Sequence, residues 1–132
     1  MTDRRPFGIE VRVRYGGTDQ MGVVYHPVYL VWCELGRTEY IRGCGISYDE
    51  IERRGTKLVV ADTTVRYHAP ARYDDLIRIE TTLVSVQSRA LTFDYVMRHA
   101  ASDQRLATAR TLLVAIDSAG PPAPMPRDIR EL

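Results

Sequence analysis

The chain has 132 residues, of which 45% are hydrophobic and 27% are charged, a balance typical of one soluble globular domain. Its 18 basic and 17 acidic residues give a formal net charge of +1, so no overall positive field favours a nucleic-acid partner. No apolar stretch approaches the roughly 20 residues of a membrane-spanning helix, and no apolar signal segment follows Met1. We therefore expect neither membrane insertion nor nucleic-acid binding.

The first predicted element is a strand over residues 9–15, where apolar and charged residues alternate with a period of two. Gly16, Gly17 and Gly22 then interrupt the alternation, and glycine permits backbone conformations that other residues avoid. The sequence therefore predicts an irregular loop that runs to about Tyr25.

A helix is predicted after this loop. Pro27 suits a first helical turn, apolar residues then recur at helical spacing, and Gly43 with Gly45 ends the pattern. A shorter amphipathic helix is expected over residues 48–54, closed by Gly55. The first of these is the only long helix that the sequence predicts.

Four strands are predicted in the second half of the chain, because each segment is rich in Val, Ile, Thr, Tyr or Leu. They cover residues 58–68, 76–86, 91–98 and 106–116. Their short connections favour antiparallel pairing. The order of elements predicts an α+β fold, in which an antiparallel sheet of about five strands packs on one long helix.

Residues 118–132 form a proline-rich C-terminal tail of the single domain, 1–132. Proline has no backbone N–H to donate to a strand neighbour, so this segment is expected to be extended or mobile.

Cys33 and Cys44 are the only cysteines. Eleven positions on one helix separate them by about 16 Å, too far for a disulfide. We expect both thiols to be free and buried, and the absence of a disulfide framework favours a cytoplasmic location.

The candidate chemistry lies where the glycine-containing loop meets the long helix. Asp19 should be ionised at neutral pH and able to attack a carbonyl or activate water. The first N–H groups of a helix lack intrahelical partners and can stabilise an oxyanion. Taken alone, however, Asp19 is better explained as a loop or capping residue, and His26 as a polar residue at the helix start.

This stretch resembles the active-site segment of a known enzyme family. It reads Tyr-x-x-Thr-Asp-x-x-Gly-Val-Val-Tyr-His-x-x-Tyr-Leu from Tyr15 to Leu30, followed on the helix by Trp32, Glu34, Arg37 and Tyr40. The pattern is similar to that of the hot-dog-fold thioesterases of the 4-hydroxybenzoyl-CoA and Tol-Pal-associated branch. A weaker similarity continues through residues 67–75, so the resemblance covers about residues 9–117.

The resemblance implies a hot-dog fold, an acyl-CoA thioesterase activity and a site at the boundary of paired subunits. The family's catalytic carboxylate falls on Asp19, and the amide that polarises the thioester carbonyl falls on His26. Whether the carboxylate attacks directly or activates water stays open. Gly16 and Gly17 replace the acidic or bulkier residues of many relatives, which predicts a more mobile loop.

Other residues are weaker candidates. Tyr25 and Tyr29 are predicted to contact the acyl group, although aromatic residues at helical spacing more often belong to a core. Arg89, at a predicted hairpin, is the arginine chosen to meet CoA phosphates. The remaining candidates are Glu34 and Arg37, expected to form an ion pair, and Arg66 and Arg72, at strand ends or turns.

The sequence thus predicts a cytoplasmic acyl-CoA thioesterase that forms a homodimer or homotetramer and uses no metal or other cofactor, CoA being part of the substrate. The acyl group stays open, and an acyl carrier protein could replace CoA. Two alternatives remain: a non-catalytic acyl-CoA-binding hot-dog protein, and a hot-dog dehydratase of 3-hydroxyacyl thioesters. No Gly-x-Ser-x-Gly motif or phosphate-binding loop supports other hydrolase or nucleotide chemistry.

Overall fold

The computed structural model describes residues 5–132. Five strands, one long helix and two short helices follow one another along the chain. In order they are β1 (Phe7–Arg12), α1 (Val28–Gly43), α2 (Tyr48–Arg53), β2 (Thr56–Tyr67), β3 (Leu76–Gln87), β4 (Ala90–His99), β5 (Arg105–Asp117) and α3 (Arg127–Arg130). A 3₁₀ turn, Tyr15–Gly17, lies between β1 and α1.

The five strands form one antiparallel sheet in the order β1-β3-β4-β5-β2. Buried and more exposed residues alternate along β3 and β4, as expected for strands with one face on a core. Helix α1 lies across the inner face and contacts β1, β3 and β4. This arrangement confirms the predicted α+β hot-dog fold of about five strands around one long helix.

The core lies between α1 and the inner face of the sheet. Its largest fully buried side chains include Ile77, Ile79, Leu83, Leu91, Phe93, Tyr95 and Met97. At the centre of α1, Gly36 lets the helix approach the sheet closely, because a Cβ atom there would lie 2.3 Å from Thr81 Oγ1. That spacing sets the position of α1 over β3.

The predicted boundaries of the strands and helices differ from the observed ones by a few residues. β1 ends at Arg12 rather than at residue 15, because the chain turns into the 3₁₀ turn. β2 begins at Thr56, directly after Gly55, whose positive φ of 90° closes α2.

The prediction for the tail is wrong in part. Residues 118–121 form turns and bends, Pro122 bridges to Ile116, and the chain later forms α3, with Met125 and Ile129 buried in the core. The N–H of Met125 donates to the carbonyl of Ser88 at 2.8 Å, and the Arg54 guanidinium donates to the Asp128 carboxylate. Buried apolar side chains and these bonds hold the tail against the domain.

The two cysteines differ in their surroundings. Both thiols are free, Cys33 is buried, and Cys44 is exposed at the C-terminal end of α1. The expectation that both are buried is therefore wrong for Cys44, since α1 ends there at the surface. Within residues 5–132, no helix is long and apolar enough to cross a membrane.

Strand β2 forms one edge of the sheet. Val59 and Val60 are adjacent in β2, and they are 45% and 43% exposed. A register irregularity follows between Val60 and Asp62. The first half of β2 therefore presents both apolar side chains and unpaired backbone groups at the sheet edge.

Candidate active site

The loop that carries Asp19 is closed on itself by backbone hydrogen bonds. A bridge joins Thr18 to Val24, the Asp19 N–H donates to the Val23 carbonyl at 2.9 Å, and the Gly22 N–H donates to the Asp19 carbonyl at 3.0 Å. Gly22 has a φ of 78°, a conformation that favours glycine. The sequence Asp-Gln-Met-Gly thus folds locally into a turn with Asp19 at its start.

The Asp19 carboxylate is held through one of its two oxygens. Oδ1 accepts the Met21 N–H at 2.9 Å and the Val23 N–H at 3.4 Å. Within residues 5–132, Oδ2 accepts no hydrogen bond, and the side chain is exposed. The capping role foreseen for a lone loop aspartate is therefore present, and it orients the carboxylate while leaving Oδ2 available for chemistry.

This loop is also attached to the turn between β2 and β3. The Val24 N–H donates to the Ala71 carbonyl at 2.8 Å, and a bridge pairs Val23 with Arg72. The Val13 N–H donates to the Asp75 carbonyl at 2.9 Å. Backbone bonds from both of its ends therefore fix the loop to the folded domain.

In the part of the chain that the structure describes, the entrance of α1 leaves the His26 amide without a partner. The N–H groups of Val28, Tyr29 and Leu30 donate to carbonyls three residues earlier, at 2.9–3.2 Å. The His26 N–H makes no hydrogen bond to any residue of the described chain. The first N–H groups of α1 are thus satisfied by bonds to carbonyls three residues earlier, and the His26 N–H, which precedes them, is the free donor at the positive end of the helix dipole.

The same segment links Asp19 to His26. The Tyr25 N–H donates to the Gly17 carbonyl at 2.8 Å, so the residue before His26 is bound to the start of the Asp19 loop. The rings of Tyr25 and His26 are 4.8 Å apart, and both side chains are exposed. The structure therefore brings the three predicted residues Asp19, Tyr25 and His26 to one surface.

Tyr29 is more enclosed than a substrate-contacting residue was expected to be. It is 3% exposed, and its ring packs at 4.8 Å on Trp32 and at 5.0 Å on Tyr67. Burial raises the pKa of the Tyr29 hydroxyl. In the single chain Tyr29 belongs to the core, and its contact with an acyl group stays a prediction.

Tyr67 is a residue of this site for which no role is predicted from the sequence. Its hydroxyl donates to the His26 carbonyl at 3.4 Å, from the last position of β2. The two residues are 41 positions apart, so no local pattern joins them. Partial burial raises the pKa of this hydroxyl, which keeps it a protonated donor at neutral pH.

An apolar groove of about 480 Å³ lies beside the loop, between the end of β1 and the first half of α1. Its apolar wall consists of Val11, Val13, Val28, Val31, Trp32 and Leu35. Gly16 and Gly17 border the groove next to the Asp19 loop. The groove has the composition expected of a site for an apolar group.

The structure does not bring Arg89 to this surface. Arg89 follows the C-terminal end of β3, whereas the Asp19 loop is bonded to the turn before β3 begins. A strand of this length separates the two by roughly 40 Å. Arg89 could meet a ligand of this site only from a second copy of the chain, and its role stays a prediction.

The expected ion pair between Glu34 and Arg37 is wrong. These side chains form no ion pair among the described residues, although both border a cavity of about 170 Å³ near Tyr48. The positive charge of Arg37 instead acts on Tyr95 and on Cys33 in the core, where it opposes the effect of burial on both pKa values. The Arg37 guanidinium therefore lies close enough to Tyr95 on β4 to act on its hydroxyl, which is hydrogen-bonded to Thr111.

Metal binding receives no support from side-chain geometry. Residues 5–132 contain no group of three or more His, Cys, Asp or Glu side chains that could hold a metal ion.

Comparison with known proteins identifies the class. Residues 13–132 match the thioesterase-like superfamily, and the chain therefore belongs to this family. The class of the protein is thus that of the hot-dog thioesterases, which hydrolyse thioesters.

Individual relatives agree with this class. The acyl-CoA thioester hydrolase YbgC of Escherichia coli O6:H1 is 37% identical over 107 residues, which cover 81% of this chain and 79% of the relative. YneP of Bacillus subtilis is 37% identical over 86 residues, 65% of this chain, and the match spans 62% of YneP.

Solved structures show the same fold. TT1821 of Thermus thermophilus superposes with a TM-score of 0.89 at 33% identity, covering 94% of each chain. Slr0204 of Synechocystis, a 1,4-dihydroxy-2-naphthoyl-CoA thioesterase, superposes with a TM-score of 0.87 at 26% identity, covering 95% of this chain and 93% of that one.

Proposed function

We propose that this protein hydrolyses acyl-CoA thioesters to a free acid and CoA, with Asp19 as the catalytic carboxylate and the His26 N–H as the oxyanion donor. One observation carries the assignment. Among the described residues 5–132, Asp19 is oriented through Oδ1 with Oδ2 unbonded, in a loop attached to the helix entrance where the His26 N–H finds no partner. A carboxylate can serve as the nucleophile or base of thioester hydrolysis, and a free amide N–H can stabilise the oxyanion that forms.

The chemistry follows from these two groups. Either Asp19 Oδ2 attacks the thioester carbon to form an anhydride, which water then hydrolyses, or Oδ2 takes a proton from water as the water attacks. In both routes the carbonyl oxygen gains negative charge, which the His26 N–H and the helix dipole stabilise. Collapse of this oxyanion breaks the C–S bond. In the anhydride route the CoA thiolate takes a proton from solvent, and water then cleaves the anhydride to the free acid and the Asp19 carboxylate; in the water-activation route the thiolate takes the proton that Asp19 received from water.

The apolar groove supplies a place for the acyl group. It is bordered by Gly17 and Val28, which lie on either side of the Asp19–His26 segment. An acyl chain in the groove would leave its thioester carbonyl at the helix entrance. The wall of the groove is apolar, and Arg12 and Arg14 also border it. This lining would accept an aliphatic acyl group as well as an aryl group.

The functional unit that we propose is a dimer or a tetramer formed from dimers. The exposed β2 edge with Val59 and Val60 supports this assembly, because unpaired edge strands associate readily with a second copy. A cytoplasmic location is consistent with two free thiols.

The direct test is the pair of variants Asp19→Asn and Asp19→Ala in an acyl-CoA hydrolysis assay. Asparagine keeps an oxygen that can accept the Met21 N–H, so the loop is retained while the negative charge is lost. We expect kcat to fall by about 10²-fold or more in both variants, with CoA binding nearly unchanged. Asp49→Asn, an exposed aspartate on α2, is the matched control and should retain activity. Full activity of Asp19→Asn would show that the assignment is wrong.

Mass analysis of the products separates the two alternative functions. A free acid supports hydrolysis, an enoyl thioester supports a dehydratase, and CoA binding without turnover of any acyl-CoA in a broad panel supports a non-catalytic binding protein. The same panel, extended to acylated carrier protein, would define the acyl group and its carrier.

A further inference from the structure

The turn between β2 and β3 is the part of the domain to which the Asp19 loop is attached. Val24, after the loop, donates its N–H to the Ala71 carbonyl at 2.8 Å, and Val13, before the loop, donates its N–H to the Asp75 carbonyl at 2.9 Å. Ala71 is fully buried, so the turn is itself anchored in the core. The shape of this turn therefore determines where both ends of the loop lie, and with them the position of Asp19.

The side chain of Asp75 closes this turn. Asp75 Oδ2 accepts the Arg72 N–H at 2.9 Å, and the Asp75 N–H donates to the Arg72 carbonyl at 3.1 Å. Arg72 is also bridged to Val23 of the loop. Because a charged acceptor strengthens a hydrogen bond, the Asp75 carboxylate firmly holds the backbone of the residue that pairs with the loop.

The second oxygen of Asp75 faces a histidine from a different strand. His99 Nε2 lies 3.5 Å from Asp75 Oδ1, and the two side chains are 29% and 26% exposed, so water screens the pair only in part. His99 is the last residue of β4, where it pairs with Ile77 and donates its N–H to the Gln104 carbonyl at 2.8 Å. The imidazole is therefore carried by a well-bonded strand end, and it fixes the carboxylate oxygen that does not bind Arg72.

The surroundings of this pair indicate that His99 acts through Nε2. The pair shares a depression of about 440 Å³ with three charged residues, Glu10, Arg12 and Asp74. The Arg12 guanidinium donates to the Asp74 carbonyl at 3.0 Å. Within residues 5–132, His99 Nδ1 is buried without a hydrogen-bond partner. Such an atom lowers stability, so a histidine at this position is not explained by stability alone.

We propose that Asp75 and His99 are positioning residues that hold Asp19 in place relative to the His26 N–H. The inference rests on the proposed function, in which the Asp19 carboxylate and the His26 N–H act on the thioester carbonyl. His99 orients the Asp75 carboxylate, Asp75 holds the Arg72 backbone, and the turn then holds both ends of the loop. Neither Asp75 nor His99 contacts the substrate in this scheme. They affect the rate because a displacement of about 1 Å in a reacting group can cost about 10²-fold.

The first test is steady-state hydrolysis of one acyl-CoA by variants of the full chain. Asp75→Ala removes the acceptor of the Arg72 N–H, and we expect kcat to fall about tenfold or more with little change in KM. Asp117→Ala is the matched control, because Asp117 Oδ1 accepts the Ala119 N–H at 2.8 Å and so closes a similar turn after β5. This control should keep its kcat. An equal fall in the two folded variants, or no fall in Asp75→Ala, would overturn the proposal.

Variants of His99 separate positioning from a merely structural role, and they keep the proposal testable if Asp75→Ala does not fold. His99→Leu removes the nitrogen that faces Asp75, and we expect kcat to fall roughly 3- to 10-fold with little change in KM. His99→Gln places an amide N–H near the position of Nε2 and should recover most of that loss. A thermal melt checks that each variant is folded. Unchanged kcat in His99→Leu, or an equal fall in both His99 variants, would contradict the role of Nε2.

Hydrogen exchange measured by NMR tests the attachment of the loop without any turnover. The Val24 N–H, which is bonded to the Ala71 carbonyl, reports on the contact between the loop and the turn. We expect it to exchange about tenfold faster or more in Asp75→Ala and in His99→Leu than in the unmodified chain. Its exchange rate should be unaltered in Asp117→Ala.

These two readouts distinguish failure of this proposal from failure of the proposed function. Unchanged exchange of the loop in the Asp75 and His99 variants would overturn the proposal even if the unmodified chain hydrolyses acyl-CoA normally. Faster exchange in the variants of a chain that hydrolyses no acyl-CoA would refute only the proposed function, since the loop is then still held by Asp75 and His99.

Discussion

The hydroxyl of Tyr67 donates a hydrogen bond to the carbonyl oxygen of His26, and this contact joins the edge strand β2 to the entrance of α1. The His26 carbonyl also accepts the Tyr29 N–H at 3.2 Å, so it is held from two directions. The orientation of residue 26 sets the direction of its N–H, the proposed oxyanion donor. Tyr67 is therefore a positioning residue, which acts through His26 rather than on the substrate carbonyl.

We expect Tyr67→Phe to lower kcat by roughly 2- to 10-fold with little change in KM, the range for loss of one neutral hydrogen bond. Steady-state kinetics with one acyl-CoA would measure the split between the two constants. Tyr73→Phe is the control, since Tyr73 is 57% exposed and packs on Tyr15. Equal kinetics of the two variants would remove Tyr67 from the positioning role.

Gly36→Ala should destabilise the fold, even though alanine favours helix formation over glycine by about 1 kcal/mol. The added Cβ would lie 2.3 Å from Thr81 Oγ1 and 3.1 Å from Ile79 Cγ2, both fully buried. Overpacking of this kind costs about 1–3 kcal/mol, which outweighs the helix gain. Urea unfolding would show a lower midpoint.

A compensating change sharpens that test. Thr81→Ala removes the clashing oxygen, which has no hydrogen-bond partner in the described chain, so the double variant Gly36→Ala/Thr81→Ala should be less destabilised than the sum of the single changes. Additive effects would mean that the close approach of α1 to β3 does not depend on this pair.

The tail should contribute to stability through its buried side chains. Met125 and Ile129 are 2% and 0% exposed, and replacing either one with Ala should lower the free energy of unfolding by about 2–4 kcal/mol. Arg127→Ala, at a side chain 87% exposed, should change it little. The free energy of unfolding of the three variants can be measured by denaturant titration. If all three values equal that of the unmodified chain, the tail is not packed against the domain.

The two thiols should react with alkylating reagents at very different rates. Burial raises the pKa of Cys33 to about 12, and its side chain is 1% exposed, so neither the thiolate nor the reagent is available there at neutral pH. Cys44 is exposed, and although partial burial raises its pKa, its labelling should speed up as the pH rises towards that value. Mass spectrometry after iodoacetamide treatment should find Cys44 modified in the native protein and Cys33 only after unfolding. Equal labelling of both in the folded chain would contradict the buried position of Cys33.

The β2 edge should control assembly. Val60→Lys places a charge on the exposed apolar edge, and we expect it to shift the chain towards monomers in light scattering. Val84→Lys is the control, because Val84 is similarly exposed, at 40%, but lies on β3 inside the sheet. If assembly survives Val60→Lys and is lost in Val84→Lys, the subunits associate through the outer sheet face instead.

Much of the fold was predictable because it depends on local periodicity. The alternation along β3 and β4 and the helical spacing after Pro27 each show which face of an element meets the core, and the predicted boundaries lie within a few residues of the observed ones. Asp19 and His26 were assigned from the resemblance to the thioesterase family rather than from periodicity, and their roles stay predictions. The two residues are seven positions apart, within one turn and one helix entrance.

Contacts between distant segments could not be predicted from the sequence. The contact of Tyr67 with His26, the inward turn of Arg37 and the separation of Arg89 from Asp19 all depend on how the sheet wraps around α1. The tail illustrates the same limit: its prolines excluded a strand, but whether Met125 and Ile129 would find a cavity to fill was decided by β3, β5 and α2. Local sequence determines backbone conformation through neighbouring residues, whereas the placement of one element on another is decided by the burial of side chains that are far apart along the chain.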